Sequence, residues 1–454
     1  MVTAAMSSPD LVDVVCVGES MVTFVPSQPG SLADVPAFTR GIGGAESNVA
    51  CCLARAGHPA RWLSRVGHDG FGEHLVDAIG ATGVDVSAVQ RDRTRPTGIY
   101  FRTAGERATG ERAAGERAAG ERAAGEQANG QAAGQPNGRA VTLLSEQAAG
   151  PGVGQAADRP SEQSAEAVAE PLAEVVYYRA GSAAAAMSPD LMPRAETWSG
   201  RVLHLTGITA ALSADCLALM RDLTARRPGR PLVSFDVNYR VALWQGTGMG
   251  TNSEDASGES AGAGSGARAV GPAVLAELAR GCDLVFVGED EAEAAWGLTG
   301  AAAIRAALPE PATLVVKQGG EGATVFARRP ADTGTAPERA GGRPHLRSAP
   351  DPDEVVFAPA LRVDVVAPVG AGDAFAAGFL SATLRELPIF ERIRHGHLMA
   401  AASLTVPGDL GTPPARDHAD RLVALDAAGW ETLRLGPGWT TAEAETVRVE
   451  ARNR

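Results

Sequence analysis

Short apolar runs alternate with amphipathic helical patterns along most of this chain of 454 residues. The runs are apolar throughout rather than at every second residue, which is typical of parallel strands that are covered on both faces. We therefore predict an α/β fold with three layers, in which a mainly parallel central sheet carries helices on both faces. The predicted strands are 12–17, 61–66, 202–206, 232–237, 284–287 and 313–317, and the main predicted helices are 46–56, 71–81, 214–226, 272–280, 289–297 and 373–386.

A long segment between two further predicted strands lacks the pattern of folded protein. Residues 104–174 contain GERAAGERAAGERAAGE, whose five-residue period matches neither a helix nor a strand. The segment has no aromatic residue and six valines and leucines in total, too few apolar side chains to offset the entropy of ordering it. We predict a disordered insertion at the tip of a hairpin, a small β-strand lid near 97–102 and 175–179. Residues 246–271 and 328–352 are predicted to be low-complexity insertions as well.

Charge and composition exclude several classes of function. The formal net charge is −13, which argues against nucleic acid or an anionic membrane as a partner, because both require a basic surface. No stretch reaches the roughly 18 uninterrupted apolar residues of a spanning helix, and the N-terminus lacks the basic region of a signal peptide. The five cysteines are odd in number and lack CxxC spacing, so we expect reduced, buried thiols and a cytoplasmic protein. The single lysine, Lys317, is not part of a GxxxxGK[ST] motif, which excludes a Walker-type site.

The strongest chemical signal is VDVVAPVGAGDAFAAGFL, at residues 363–380. A β-branched run is followed by a Gly-Ala-Gly turn, and a helix is predicted to begin near Asp373. Small residues at Gly370, Ala371 and Gly372 allow backbone N–H groups to approach an anion, and the helix N-terminus adds partial positive charge. Asp373 beside such an anion hole could accept a proton from an attacking hydroxyl during phosphoryl transfer. The alternative is a helix-capping aspartate in a tight turn.

Two motifs together resemble the signatures of the ribokinase-like, or phosphofructokinase-B type, carbohydrate kinases. The first is GGAESNVACCLARAGHPARWLSRVGHDGFG at residues 43–72, and the second is the GAGD segment. Within that family the likeness is to the kinases of 2-keto-3-deoxygluconate, through segments such as VVYYRAGSAAAAMSPD and SFDVNYRVALW. The resemblance implies a ribokinase-like kinase domain over 11–426, with 427–454 as a C-terminal tail. It implies transfer of a phosphoryl group from ATP, with Mg²⁺, to the terminal hydroxyl of the sugar acid.

A sugar acid carries a carboxylate, and the planar fork of an arginine is well shaped to bind one in bidentate fashion. Arg179 and Arg240 are the matching positions, and a structural ion pair is the alternative for each. By resemblance, sugar contacts are also expected at Gly44, Asn48, Tyr100, Tyr178 and Asp409, with the two tyrosines closing over the substrate from the lid. For Tyr100, a cross-strand packing role is the alternative.

On the nucleotide side, the segment KQGGEG resembles the family's strand-to-turn segment beside ATP, which implicates Lys317, Gly319 and Gly322. Glu291 matches the glutamate of an NxxE pattern that is expected to organise Mg²⁺ through bound water, with a solvated helix start as the alternative. His397 matches an adenine-side position. Relatives often assemble through their lids, so a homo-oligomer is expected.

Three positions depart from the family pattern. Gly288 replaces the asparagine of NxxE, Ala367 replaces the leading aspartate of the second signature, and His397 replaces an asparagine. Other functions remain open: a fructokinase or ribokinase with a neutral substrate, or a catalytically silent sugar-acid sensor. A dinucleotide-dependent oxidoreductase is disfavoured because GIGGAE lacks the third glycine of GxGxxG. A lysine-dependent aldolase would have to use Lys317.

Overall fold

The computed structural model describes residues 12–28, 32–102, 175–245, 266–328 and 353–441. Its centre is an eight-stranded sheet in the order β14-β13-β12-β11-β10-β9-β1-β4, in which β13 alone runs antiparallel to the other strands. The predicted mainly parallel sheet is therefore confirmed. The strands are β1 Val12–Val17, β2 Met21–Pro26, β3 Phe38–Gly43, β4 Ala60–Leu63, β5 Arg65–Gly67, β6 Gln90–Asp92, β7 Ile99–Arg102, β8 Val175–Tyr178, β9 Gly200–Thr206, β10 Leu232–Asp236, β11 Leu284–Gly288, β12 Thr313–Lys317, β13 Gly322–Ala327, β14 Glu354–Pro359, β15 Arg362–Val363 and β16 Arg434–Leu435.

Helices cover both faces of this sheet, because successive strand residues point to opposite sides and both sides are apolar. One face carries Val15, Leu203 and Phe235 and packs against α5 and α7, and the other carries Val14 and Phe286 and packs against α1, α10 and α11. The helices are α1 Ala45–Arg55, α2 Gly70–Gly80, α3 Arg194–Thr197, α4 Gly207–Ala210, α5 Ala214–Thr224, α6 Val241–Gln245, α7 Gly266–Gly281, α8 Glu289–Trp296, α9 Ala301–Ala307, α10 Ala371–Leu384, α11 Ile389–Leu404, α12 Arg416–Val423 and α13 Ala427–Thr432.

The lid is a separate four-stranded sheet in the order β3-β2-β7-β8. Strands β7 and β8 pair in antiparallel register, with Tyr100 opposite Tyr177, and they lie on either side of the 104–174 segment. The predicted hairpin is therefore present, while residues 104–174, 246–265 and 329–352 of the predicted insertions lie outside the described residues.

Two predicted boundaries differ from the structure. Helix α7 begins at Gly266, inside the segment assigned to the second insertion. The described part of the predicted C-terminal tail packs against the domain, because Trp430 is buried in an apolar cluster with Leu398 and Leu422, and its indole N–H donates to Pro359 O at 2.9 Å. An apolar side chain of this size favours burial over a solvated tail.

All five cysteines are buried free thiols, as predicted. In the described part of the chain, no helix is both long and apolar enough to cross a membrane.

Candidate active site

The candidate site lies at the carboxyl edge of the parallel strands, where open α/β sheets usually bind ligands. Polar residues stand at this edge at the ends of neighbouring strands. They include Thr206 at the end of β9, Asp236 at the end of β10 and Lys317 at the end of β12. The first turns of α1 and α10 lie near the same edge, because Glu46 of α1 accepts a hydrogen bond from Thr206 and Asp373 of α10 interacts electrostatically with Lys317.

Helix α10 begins at the predicted Gly-Ala-Gly turn. Gly370 has φ of 75°, a left-handed conformation that favours glycine, and a Cβ at this position would collide with the carbonyl oxygen of Asp409. The helix starts at Ala371, so Ala371, Gly372 and Asp373 form its first turn, whose N–H groups have no partner within the helix. This geometry is that of an anion-binding helix N-terminus.

One hydrogen bond joins the two signature motifs. Asn48, in the first turns of α1, donates from Nδ2 to Oδ2 of Asp373 at 2.9 Å, across 325 positions of sequence. Asn48 is buried, and its Oδ1 has no hydrogen-bond partner among the described residues. The hydrogen bond from the Asn48 side chain orients the Asp373 carboxylate, which a general base at this position requires.

Gly44 and its neighbour Gly43 bring the lid against this centre. A Cβ at Gly44 would collide with the carbonyl oxygen of Glu19, and one at Gly43 would collide with the Tyr100 hydroxyl. The Tyr100 hydroxyl in turn donates to Oδ2 of Asp409 at 3.1 Å. The structure therefore joins Gly43, Gly44, Tyr100 and Asp409 into one surface next to the α10 turn.

Arg179 lies at the base of the lid with a buried partner. Its guanidinium forms an ion pair with Glu19, which is 2% exposed and also accepts a hydrogen bond from Ser182 at 2.8 Å. The guanidinium carbon lies 5.5 Å from the centre of the Tyr177 ring. The structural ion pair considered for Arg179 is therefore present, and it fixes the direction of the guanidinium.

Tyr178 is not where the sequence analysis placed it. Opposite residues of an antiparallel pair share a face, so Tyr177, not Tyr178, lies on the face of Tyr100, with ring centres 5.4 Å apart. Tyr178 is 61% exposed on the other face, beside Phe101. The tyrosine that shares the site face with Tyr100 is thus one residue earlier.

Arg240 follows the end of β10 and lies immediately before α6, with an exposed side chain. Asn238, two residues before Arg240, has a φ of 42°, which is unusual for a residue other than glycine. Asn238 is buried, and within the described part of the chain its Oδ1 has no hydrogen-bond partner. Strained backbone and an unpartnered buried amide oxygen often mark functional turns, so Asn238 joins the candidate site.

On the nucleotide side, Lys317 is held by a side chain that the sequence analysis did not single out. Its Nζ lies 3.0 Å and 2.8 Å from the two carboxylate oxygens of Asp236. Burial alone would lower the pKa of Lys317, but the negative charges of Asp236 and Glu291 outweigh burial and raise it, so the ammonium form persists.

Glu291 caps its own helix. Its Oε2 accepts the backbone N–H of Gly288 at 3.0 Å, in the manner of a capping box at the start of α8. The described residues contain no cluster of three or more His, Cys, Asp or Glu side chains that could hold a metal ion by themselves.

His397 and Gly322 both lie close to the carbonyl oxygen of Ala358. His397 is buried, its Nε2 lies 3.1 Å from Ala358 O, and burial lowers its pKa to about 4, so the ring is neutral near pH 7. A Cβ at Gly322 would collide with the same oxygen. Gly319 has φ of 56° and lies in the exposed turn between β12 and β13. His397 therefore makes an internal contact in this structure.

The sequence matches the model of the pfkB family of carbohydrate kinases over residues 12–132 and 267–416, more than half of its length. The chain belongs to this family. It is therefore a sugar kinase, an enzyme that transfers a phosphoryl group to an alcohol, and the hydrogen bond from Asn48 to Asp373 joins its two family signatures.

Similar proteins agree with this assignment. The kinase is 28% identical to a 2-dehydro-3-deoxygluconokinase of Bacillus subtilis over 417 residues, covering 89% of this chain and 93% of the relative. It is 26% identical to a protein of the same name from Thermoproteus tenax, covering 91% and 95%. A solved structure of an E. coli protein described as ribokinase II, with ATP and Mg²⁺, superposes with a TM-score of 0.60 at 16% identity, covering 90% of this chain and 98% of that one. This likeness shows the ribokinase-like fold.

Four residues of the candidate site were not predicted from the sequence: Asp236, Glu46, Glu19 and Tyr177. Glu46 is fully buried, and its Oε1 accepts hydrogen bonds from Thr206 and Thr209, each at 2.8 Å. Burial raises the pKa of Glu46 to about 7, against these two hydrogen bonds, which lower it. A usable signal existed for Asp236, which ends an apolar strand, and for Glu19, which follows another by two residues, since the carboxyl ends of both strands lie at the site edge.

Proposed function

We propose that this kinase phosphorylates the terminal hydroxyl of 2-keto-3-deoxygluconate, using ATP and Mg²⁺. The observation that carries the proposal is the hydrogen bond between Asn48 and Asp373 at the start of α10, because it places an oriented carboxylate beside an anion-binding turn. Phosphoryl transfer requires these two features together: a proton acceptor for the attacking hydroxyl and a stabiliser for charge on the phosphoryl oxygens.

In this mechanism Asp373 accepts the proton of the sugar hydroxyl as its oxygen attacks the γ-phosphorus in line with the departing ADP. Backbone N–H groups of the turn at Gly370, Ala371 and Gly372 donate to the phosphoryl oxygens. Asn48 keeps the Asp373 carboxylate oriented throughout. Tyr100 and Tyr177, on the inner face of the lid, exclude water and so limit hydrolysis of ATP.

The carboxylate oxygens at the carboxyl edge of the sheet fit Mg²⁺, because Mg²⁺ prefers oxygen ligands and usually keeps most of its bound water. When bound with ATP, Mg²⁺ would neutralise charge on the phosphates. Glu291 is the residue proposed to hold it, through water, since the carboxylate already faces the strand edge while it caps Gly288. Lys317, Gly319, Gly322 and His397 are proposed to line the nucleotide side.

Two arginines favour an anionic sugar as the substrate. Arg179 is held in place by Glu19 and by the Tyr177 ring, and Arg240 is exposed at the turn after β10. A carboxylate of the substrate would find planar, bidentate donors there. The names of the relatives from B. subtilis and T. tenax point to the same substrate.

The test is a coupled assay of ADP formation with 2-keto-3-deoxygluconate, related sugar acids, fructose and ribose. We expect turnover on the sugar acid, and Arg179→Ala should raise its KM at least tenfold because a charge-assisted bidentate bond contributes about 1.5–3 kcal/mol. Arg416→Ala is the control, since this exposed arginine lies outside the site and bonds to Ala56 O. Turnover on fructose or ribose alone would replace the proposal with a neutral-sugar kinase, and sugar-acid binding without ADP formation would indicate a sensor.

We further propose a homo-oligomer formed through the lid and a cytoplasmic location. The outer lid face presents Phe24, Phe38 and Phe101 in mutual ring contact, next to the exposed Tyr178. An aromatic face of this kind on an open sheet suits a second copy of the chain. Light scattering coupled to size exclusion, with Tyr178→Ser as the interface variant, tests the association.

A further inference from the structure

The buried ion pair between Lys317 and Asp236 spans two strands that are not neighbours. Asp236 ends β10 and Lys317 ends β12, with β11 between them. In the register of the sheet, Lys317 lies opposite Gly288 and Asp236 lies opposite Phe286. Since adjacent strands are about 4.8 Å apart, the two side chains together cross a width of roughly 10 Å.

Gly288 lies opposite Lys317 in the register of β11 and β12, on the strand that the lysine crosses to reach Asp236. A Cβ at Gly288 would collide with Oδ1 of Asp290, at the start of α8. The glycine at this position, where the family pattern has asparagine, therefore leaves room for the first turn of α8.

The donors of the ammonium are only partly used. A lysine ammonium has three N–H groups, and the two hydrogen bonds of Lys317 within the described residues both go to Asp236. Asp236 is 2% exposed, while the Lys317 side chain is 18% exposed, so the lysine is the member of the pair that solvent reaches. A pair that served stability alone would have no need to face the site edge.

A second ion pair provides the contrast at the opposite end of the same strand. Arg305 binds both carboxylate oxygens of Asp353, at 2.7 Å and 3.0 Å, and also donates to the carbonyl oxygens of Leu308 and Pro311, which precede β12. There the cation is satisfied within the protein. At the site edge, Asp373 and Glu291 are additional electrostatic partners of Lys317.

We infer that Asp236 is a positioning residue, which holds the Lys317 ammonium across Gly288 so that its third N–H donates to a phosphoryl oxygen of the bound nucleotide. The inference rests on the proposed function, because it takes ATP as the phosphoryl donor. Lys317 contacts the nucleotide directly, whereas Asp236 acts through Lys317. Such a pair gives the lysine a fixed direction that its flexible stem would otherwise lack.

Because Lys317 is the only lysine of the chain, labelling with ¹⁵N-lysine gives a single side-chain Nζ signal. In the wild-type protein, the non-hydrolysable analogue AMP-PNP with Mg²⁺ should shift this signal, whereas adenosine should not. Asp236→Asn should abolish that shift and raise the KM for ATP at least tenfold, with the sugar KM changed less than twofold. Asp353→Asn is the matched control, which should lose stability and keep both the shift and the KM.

An Nζ signal that responds equally to AMP-PNP and adenosine, or not at all, would overturn the inference. So would an Asp236→Asn variant whose only change is a lower melting temperature, matching Asp353→Asn. Should Asp236→Asn fail to fold, the wild-type titration with AMP-PNP and adenosine decides the matter alone. A wild-type protein that shows the Nζ shift but no turnover on any sugar acid contradicts the proposed substrate and leaves the inference standing.

Discussion

The two ends of the central sheet use ion pairs differently. At the amino end, the Arg305 guanidinium donates hydrogen bonds to Asp353 and to two carbonyl oxygens, so its charge is enclosed by the protein. At the carboxyl edge, Lys317 bonds only to Asp236 among the described residues. Buried polar atoms with no hydrogen-bond partner in the described ranges also occur there: Oε2 of Glu46 and Oδ1 of Asn48 and Asn238.

The difference separates groups that stabilise the fold from groups that await a ligand. Leaving a buried polar atom without a partner costs about 1–3 kcal/mol, so such atoms persist where function requires them. The Arg305 pair at the amino end avoids this cost, because the protein itself supplies its hydrogen-bond partners. Substitutions at the two ends should therefore change different quantities: catalysis at the carboxyl edge and stability at the amino end.

A large loss of catalysis is expected from Gly370→Ala at the carboxyl edge. An alanine would be strained at φ of 75° and its Cβ would collide with the carbonyl oxygen of Asp409, so the turn and its N–H groups must move. We expect kcat to fall about 100-fold or more, the usual effect of losing oxyanion-type donors. Steady-state kinetics measure the loss. Gly181→Ala, also at positive φ but with open space around it, is the control and should keep kcat within about threefold.

At the amino end, Asp353→Asn should lower the stability of the protein and leave catalysis nearly unchanged. It leaves the buried Arg305 guanidinium without its anion, and we expect a loss of about 2 kcal/mol in the free energy of unfolding. Urea denaturation measures this loss, and kcat should stay within about twofold of wild type. A large fall in kcat in this variant would break the distinction between the two ends.

The effect of Glu46→Gln on stability is expected to depend on pH. The pKa of Glu46 rises from 4.5 to about 7 on folding, so the native state binds more protons than the unfolded state between these values. Wild-type stability should therefore fall as pH rises through this window, and the glutamine variant lacks this fall. We expect the stability of Glu46→Gln relative to wild type to be about 3 kcal/mol higher at pH 8 than at pH 4.5. Urea denaturation at both pH values measures this, and a parallel pH dependence in the two proteins would contradict it.

Much of the fold could be predicted because the local patterns agree with the final structure. The apolar runs that became β1, β10, β11 and β12 carry their own signal, and so do the glycines before α10. The meeting of Asn48 with Asp373 was implied by two family signatures rather than by any local pattern. Whether the remaining predicted contacts bind substrate stays a prediction.

Other features depend on geometry that the sequence does not contain. In VVYY, two adjacent tyrosines and no alternation leave open which of them faces the site, and only the pairing of Tyr100 with Tyr177 decides it. The pair of Lys317 and Asp236 requires the order of three strands and their register. Trp430 lies in the segment predicted to be a tail, and its ring is fixed to the domain by an apolar cluster that forms only in the folded chain.

The most direct test of the account is the turnover of Asp373→Asn on 2-keto-3-deoxygluconate, with ATP binding measured in the same preparation. Asparagine keeps the size of the side chain but cannot accept the hydroxyl proton, so the account predicts a fall in kcat of about 100-fold to 10,000-fold. ATP affinity and melting temperature should remain close to those of wild type. A variant that keeps a near-normal kcat would contradict the assignment of Asp373 as the base.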